Sequence, residues 1–225
     1  FEPGRAHVST KSSHKGLSVL PLREVVTALE RLYPPETALS WDSVGLVTGD
    51  MGQPVSLVYF AVDPTLAVID EARSAGAELL LTHHPLLLRG VHSVATTSAK
   101  GASVTSLIVN DMALYVAHTN ADVASPGVCD ALASACDLVD VGPLKVATGT
   151  GIGRVGSLVR PQTLREFVQH LSSAPPKAAG GIRVAGPADA LVSRVAVVGG
   201  AGGDRFDAGR GRGRGAARPA GPRRR

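Results

Sequence analysis

The residues best equipped for chemistry in this sequence stand directly after three apolar runs. Asp63 follows the run 57–62, the pair His83-His84 follows 79–81, and His118 follows 113–117, with Asp122 four residues further on. These three histidines are drawn from only seven in the chain. Imidazole and carboxylate together suit a divalent Zn, Fe, Mn, Ni or Co ion. Adjacent side chains on an extended chain point apart. His83 and His84 are therefore expected to serve two ions about 3.5–4 Å apart, the spacing of two-metal hydrolytic sites. His118 and Asp122 share one face of a turn, which lets Asp122 bridge the ions, while Asp63 orients a ligand from behind it. A His-His-Pro strand end taken alone is equally well a loop with two hydrogen-bonded imidazoles. The coincidence at three strand ends is what favours a metal site. His92 reads as an exposed loop residue, His170 as a surface residue on a helix, and His7 and His14 as part of an unstructured start. No Gly-x-Ser-x-Gly elbow or phosphate-binding loop occurs, and Gly149-Thr150-Gly151-Ile152-Gly153 follows no clear strand, so dinucleotide binding is not indicated.

Such residues need elements to carry them. The three runs are continuous rather than alternating, as expected of parallel strands buried on both faces. Helical patterns lie around them, at 20–33 (Leu22, Val25, Val26, Leu29 and Leu32 on one face), 65–74 and 99–110. Strand–helix–strand alternation of this kind defines an α/β fold built from βαβ units, with a mixed, largely parallel sheet flanked by helices. Ligands of such sheets bind beyond the carboxyl ends of the strands, where the histidines stand. Further on, 125–138 reads as a helix, 142–153 as a Gly-rich connection, 156–159 as a strand, 163–171 as a helix, and 182–185 and 191–198 as strands. The expected organisation is a disordered segment 1–16, an α/β metal-binding domain 17–145, a smaller strand/helix segment 146–203, and a disordered Arg/Gly-rich tail 204–225.

Composition narrows the function. The chain has 225 residues, 44% of them hydrophobic and 19% charged, enough to build a core. No apolar run approaches the roughly 18 residues of a membrane span. The net charge of +4 belongs to the tail: without 204–225 the remainder holds 15 basic and 17 acidic residues. Nucleic-acid binding is thus expected only through that tail. Cys129 and Cys136 lie seven apart on one predicted helix, which sets their Cα atoms about 10 Å apart, beyond disulfide reach. Free, half-buried thiols suit a reducing cytoplasm, and no secretory signal pattern is visible.

Three longer motifs carry a resemblance. They are Ser40-Trp41-Asp42-Ser43-Val44-Gly45-Leu46, Thr82-His83-His84-Pro85-Leu86-Leu87-Leu88-Arg89-Gly90, and His118-Thr119-Asn120-Ala121-Asp122 followed by Gly127-Val128-Cys129-Asp130-Ala131-Leu132. Over about 20–200 the sequence resembles the NGG-interacting-factor-three-like family, whose members are also called type 2 homologues of GTP cyclohydrolase I. The resemblance implies a two-metal site with His83, His84 and Asp122 as ligands and His118 as a neighbouring or additional one. It also implies ring-shaped homo-oligomers, commonly hexamers, and metal-assisted opening of the guanine imidazole ring of GTP, so that the expected activity is metal-dependent hydrolysis of a nucleotide or related heterocycle. Cys129 stands where the family usually has Asn. The family's closing His-x-x-x-Glu pair has no counterpart here, since no Glu follows Glu166 and no His follows His170. The fold is therefore expected to be C-terminally incomplete, with weak metal binding and little turnover. The alternatives are a non-catalytic metal-binding or scaffold protein, or a defective truncated member, the GC-codon composition of the tail suggesting an out-of-frame reading.

Overall fold

The computed structural model describes residues 18–144, 151–173, 181–200 and 218–219. The chain divides into two compact units, one reaching to Ala121 and one beginning at Asp122.

The first unit is a four-stranded mixed sheet with helices on both faces. In chain order it runs β1 (Leu20–Pro21), α1 (Leu22–Leu32), β2 (Gly45–Thr48), β3 (Pro54–Val55), β4 (Val58–Ala61), α2 (Leu66–Ser74), β5 (Leu79–Thr82), α3 (Ala99–Val109) and β6 (Ala113–Val116). The sheet order is β2-β6-β5-β4, and β1 pairs separately with β3. β4, β5 and β6 are mutually parallel, in the register Ala61↔Thr82↔Val116. β2 runs antiparallel to β6, with Gly45 opposite Val116.

Alternation along the strands decides which helix each residue meets. Leu79, Leu81, Ala113 and Tyr115 face α1, where they pack on Leu22 and Val26. Leu80 and Leu114 face the other way, onto Ile69 and Ala72 of α2 and Val104 and Leu107 of α3. Every residue of β5 and β6 is buried. Each leucine so buried contributes about 1.5–3 kcal/mol. β4 departs from the expectation of burial on both faces. It is an edge strand, and Phe60 is 68% exposed because the core around α1 ends short of it. Leu32, expected on the buried face of its helix, is likewise exposed.

Helix ends follow local chemistry. The Thr65 side chain caps α2 by accepting from Val68 N, and Ser98 caps α3 by accepting from Gly101 N. Both oxygens satisfy amides that the helix itself leaves without partners.

The second unit contains α4 (Thr119–Val123, which starts at the end of the first unit), α5 (Val128–Ala135), β7 (Leu138–Pro143), β8 (Arg154–Thr163), α6 (Leu164–Ser173), β9 (Ile182–Arg183), β10 (Leu191–Val197) and β11 (Arg218–Pro219). Its main sheet is antiparallel, in the order β10-β8-β7. Leu138, Leu158, Val192, Val195 and Val197 from this sheet pack with Ala133, Cys136, Leu164 and Phe167 from α5 and α6. The helix expected over 125–138 is shorter, and Leu138 opens a strand instead. β7 pairs with β8, within the second unit. Of the stretch 204–225, expected to be disordered, Arg218–Pro219 is described. It pairs antiparallel with Ile182–Arg183, a backbone ladder that needs no apolar side chain. The remainder of that stretch, and segment 1–16, lie outside the described residues.

Candidate metal centre

Because β4, β5 and β6 are parallel, their carboxyl ends share one edge of the sheet, and Asp63, His83-His84 and His118 emerge there together. The ladder continues one step past the strands: His83 N donates to Ala61 O, His84 N to Val62 O, and Ala117 N to Thr82 O. Beyond Thr82 the chain bends. The buried Thr82 hydroxyl donates to His84 O at 3.1 Å, closing the bend on itself. The alternation that would send adjacent histidines to opposite faces is lost at this point. The His83 and His84 ring centroids lie 5.2 Å apart, against the expectation that the two imidazoles diverge.

His118 completes the group, with ring centroids 5.0 Å from His83 and 5.7 Å from His84. One ligand nitrogen from each of the three lies within 4.8 Å of the others. Two ligands of a single tetrahedral ion stand about 3.3 Å apart when each metal–nitrogen bond is about 2.0 Å. The three imidazoles are thus at the scale of a metal centre.

Each ring is held from behind at Nδ1. His83 Nδ1 donates to Ala117 O at 3.0 Å, His84 Nδ1 to Asp63 Oδ1 at 2.7 Å, and His118 Nδ1 to Asp42 Oδ1 at 2.9 Å. An oxygen acceptor behind the ring is the arrangement that orients histidines in metal sites generally; here Asp63 is the acceptor behind His84. The donor set fits a divalent transition ion, with imidazoles whose other nitrogen is engaged by an oxygen acceptor.

Asp42 was not singled out by sequence reasoning. Its side chain is fully buried. Oδ1 also accepts from Ser43 N, while Oδ2 accepts from Thr119 N and the Thr119 hydroxyl. Burial alone would raise its pKa, but the hydrogen bonds from His118, Thr119 and Ser43 outweigh it and hold the carboxyl below its ordinary value. Asp42 reaches this edge because it precedes β2, and an antiparallel strand begins where its parallel neighbours end. The only signal for it in the sequence was its place in the Trp41-Asp42 motif. Thr119 Oγ1 accepts from Leu39 N, and the fully buried Asn120 donates to Tyr33 O and accepts from His118 N, fastening the turn after β6. Trp41 stands at the rim, 56% exposed, its ring centroid 6.0 Å from that of His118.

Asp122 is buried in α4, and the position a Cβ would take at Gly199 is 2.9 Å from its Oδ1. Among the remaining histidines, His92 is exposed and His170 Nε2 lies 3.1 Å from Asp137 Oδ2 on the second unit. Asp130, another motif residue, pairs with Arg154 and accepts from Gly127 N at the start of α5.

A three-layer α/β unit thus carries at its carboxyl edge three converging imidazoles that could hold a metal ion. The chain belongs to the DUF34/NIF3 (NGG1p interacting factor 3) family, whose profile matches residues 20–213. It is 52% identical over 191 residues to the GTP cyclohydrolase 1 type 2 homolog of Streptomyces coelicolor, covering 83% of this chain and 67% of that protein. The homolog of the same name from Mycobacterium tuberculosis is 34% identical over 290 residues, covering 80% and 76%. Among solved structures, the Bacillus cereus protein related to NIF3 superposes with a TM-score of 0.74 at 24% identity, covering 82% of this chain and 77% of that one. Reduced HcgD from Methanocaldococcus jannaschii superposes with a TM-score of 0.70 at 29% identity, covering 83% and 72%.

Proposed function

We propose that this protein binds divalent metal ions, two per subunit, through His83, His84, His118 and Asp122, and is a metal-dependent hydrolase of a nucleotide or related heterocycle. The observation that carries the reading is the convergence of the three imidazoles, each with Nδ1 engaged. A bound divalent ion supplies Lewis acidity and a water of lowered pKa for hydrolysis. The donor chemistry admits Zn, Fe, Mn, Ni or Co. By family resemblance Asp122 would supply a carboxylate to the same ligand set. The exposed Trp41 ring beside His118 offers a planar heterocycle a surface on which to stack.

The donor count also supports a second reading. Two ions need about four to six donors each, and among the described residues the clustered imidazoles number three. Metal is then held weakly, turnover is low, and the protein serves as a metal-binding or scaffold protein. By family resemblance the working form is a cytoplasmic homo-oligomer, a hexamer, and nucleic acid is engaged only through the basic tail.

Metal analysis of the purified chain, followed by zinc titration of the protein and its His84→Ala variant, tests the proposal. Zinc uptake that falls at least tenfold in the variant is expected, with slow nucleotide hydrolysis that follows metal content. Unchanged zinc affinity in His84→Ala would overturn the metal reading. Two metals retained through dialysis against a mild chelator, with robust hydrolysis, would remove the low-turnover reading.

A further inference from the structure

We propose that Asp42 and Asp63 are positioning residues that fix His118 and His84 as Nδ1–H tautomers, so that the Nε2 lone pair is what each imidazole presents to a divalent ion. The use of that lone pair rests on the proposed metal site; the position of the proton rests on the acceptors alone.

A neutral imidazole carries one N–H, and the partner of the other nitrogen decides which one. An ionised carboxylate and a backbone carbonyl only accept. The 2.7 Å and 2.9 Å bonds from His84 to Asp63 and from His118 to Asp42 therefore put a proton on Nδ1 in both rings. The 3.0 Å bond from His83 to Ala117 O does the same for the third. Three unrelated acceptors, from a loop before β2, the end of β4 and the end of β6, impose one tautomer.

The two aspartates are unequal. Asp42 has a fully buried side chain, and its two oxygens take four donors: Ser43 N, His118 Nδ1, Thr119 N and the Thr119 hydroxyl. That number fills the acceptor sites of a carboxylate, so its orientation is locked. Replacing either oxygen by an amide NH2 would set a donor against a backbone N–H. Asp63 is 61% exposed, so water screens its charge and competes for the His84 proton. Loss of Asp42 is therefore felt more strongly at the centre than loss of Asp63.

The test uses the full chain, uniformly labelled with nitrogen-15 and stripped of metal. Two-bond proton–nitrogen spectra at about pH 8, where an ordinary imidazole is neutral, report the tautomer of each ring, and zinc titration reports affinity. His84, His118 and His83 are expected as Nδ1–H. In Asp42→Ala, His118 should populate the Nε2–H form and zinc affinity should fall about 10–100-fold. Asp63→Ala should shift His84 in the same sense with a smaller loss, and Asp63→Asn, whose carbonyl still accepts, should restore the tautomer. Asp63 is exposed, so these variants remain informative if Asp42→Ala does not fold. An Nε2–H form of His84 or His118 in the parent would overturn the inference, as would Asp63→Ala with tautomer and zinc affinity unchanged. If the parent binds no zinc while the tautomers are as stated, the metal reading falls and the positioning role stands.

Discussion

Removing the Asp130 carboxylate should destabilise the second unit more than any surface change, because it strands a buried guanidinium. Arg154, at the start of β8, is 5% exposed. It donates through Nε and Nη2 to Asp130, through Nη2 to Val123 O at 3.1 Å and Ala124 O at 2.7 Å, and through Nη1 to Gly153 O at 3.0 Å. One side chain thus ties the turn between α4 and α5 to the sheet. Asp130→Ala leaves three neutral carbonyls to face a full charge. Removing one member of a buried pair costs about 3–5 kcal/mol. The Asp130 side chain is 26% exposed, so water reaches the gap and the lower end, about 3 kcal/mol, applies. With a urea m-value of about 2 kcal/mol/M, the unfolding midpoint should fall by about 1.5 M. The double variant Asp130→Ala/Arg154→Met should recover at least about 1 kcal/mol, since the stranded charge goes with it. The pH dependence has a definite sign. The hydrogen bond from Arg154 holds the Asp130 carboxyl below its ordinary value, against the opposing effect of burial. Its stabilisation is therefore present above about pH 4 and is lost as the pH falls below that. A midpoint shift under about 0.3 M in Asp130→Ala, or no recovery in the double variant, would refute the reasoning.

Two further outcomes rest on packing. Gly101 lies inside α3, where Ala would ordinarily gain about 1 kcal/mol, but a Cβ there would stand 2.0 Å from Ala95 O; Gly101→Ala should lower the melting temperature in a thermal scan, and a rise would show that the 94–95 loop yields freely. Burial raises the pKa of both thiols, at Cys129 and at Cys136, where Asp137 adds to it; neither should react with a disulfide reagent in native buffer near neutrality and both should after unfolding, so prompt native labelling would contradict their burial.

The sequence alone determined the strand–helix alternation of the first unit and the clustering of chemistry at its strand ends. Runs such as 79–81 and 113–117 are too apolar to tolerate water on either face, so they had to be central, and the residues next in the chain had to emerge at one edge. It also marked His83, His84 and His118, because those residue types are scarce and stood at those ends. Only the tertiary structure decided how they meet. A local pattern cannot show that the His83 and His118 rings come within 5.0 Å of each other, since that depends on β5 and β6 pairing side by side in parallel. Asp42 was hidden for a related reason. Its partners His118 and Thr119 lie more than seventy residues away, and they come within reach because β2 pairs antiparallel with β6, a register set by long-range backbone hydrogen bonding. The same holds for the second unit. The strand Leu138–Pro143 carries too little apolar pattern to declare itself, with most of its residues exposed, and it exists because β8 supplies the partner its backbone needs.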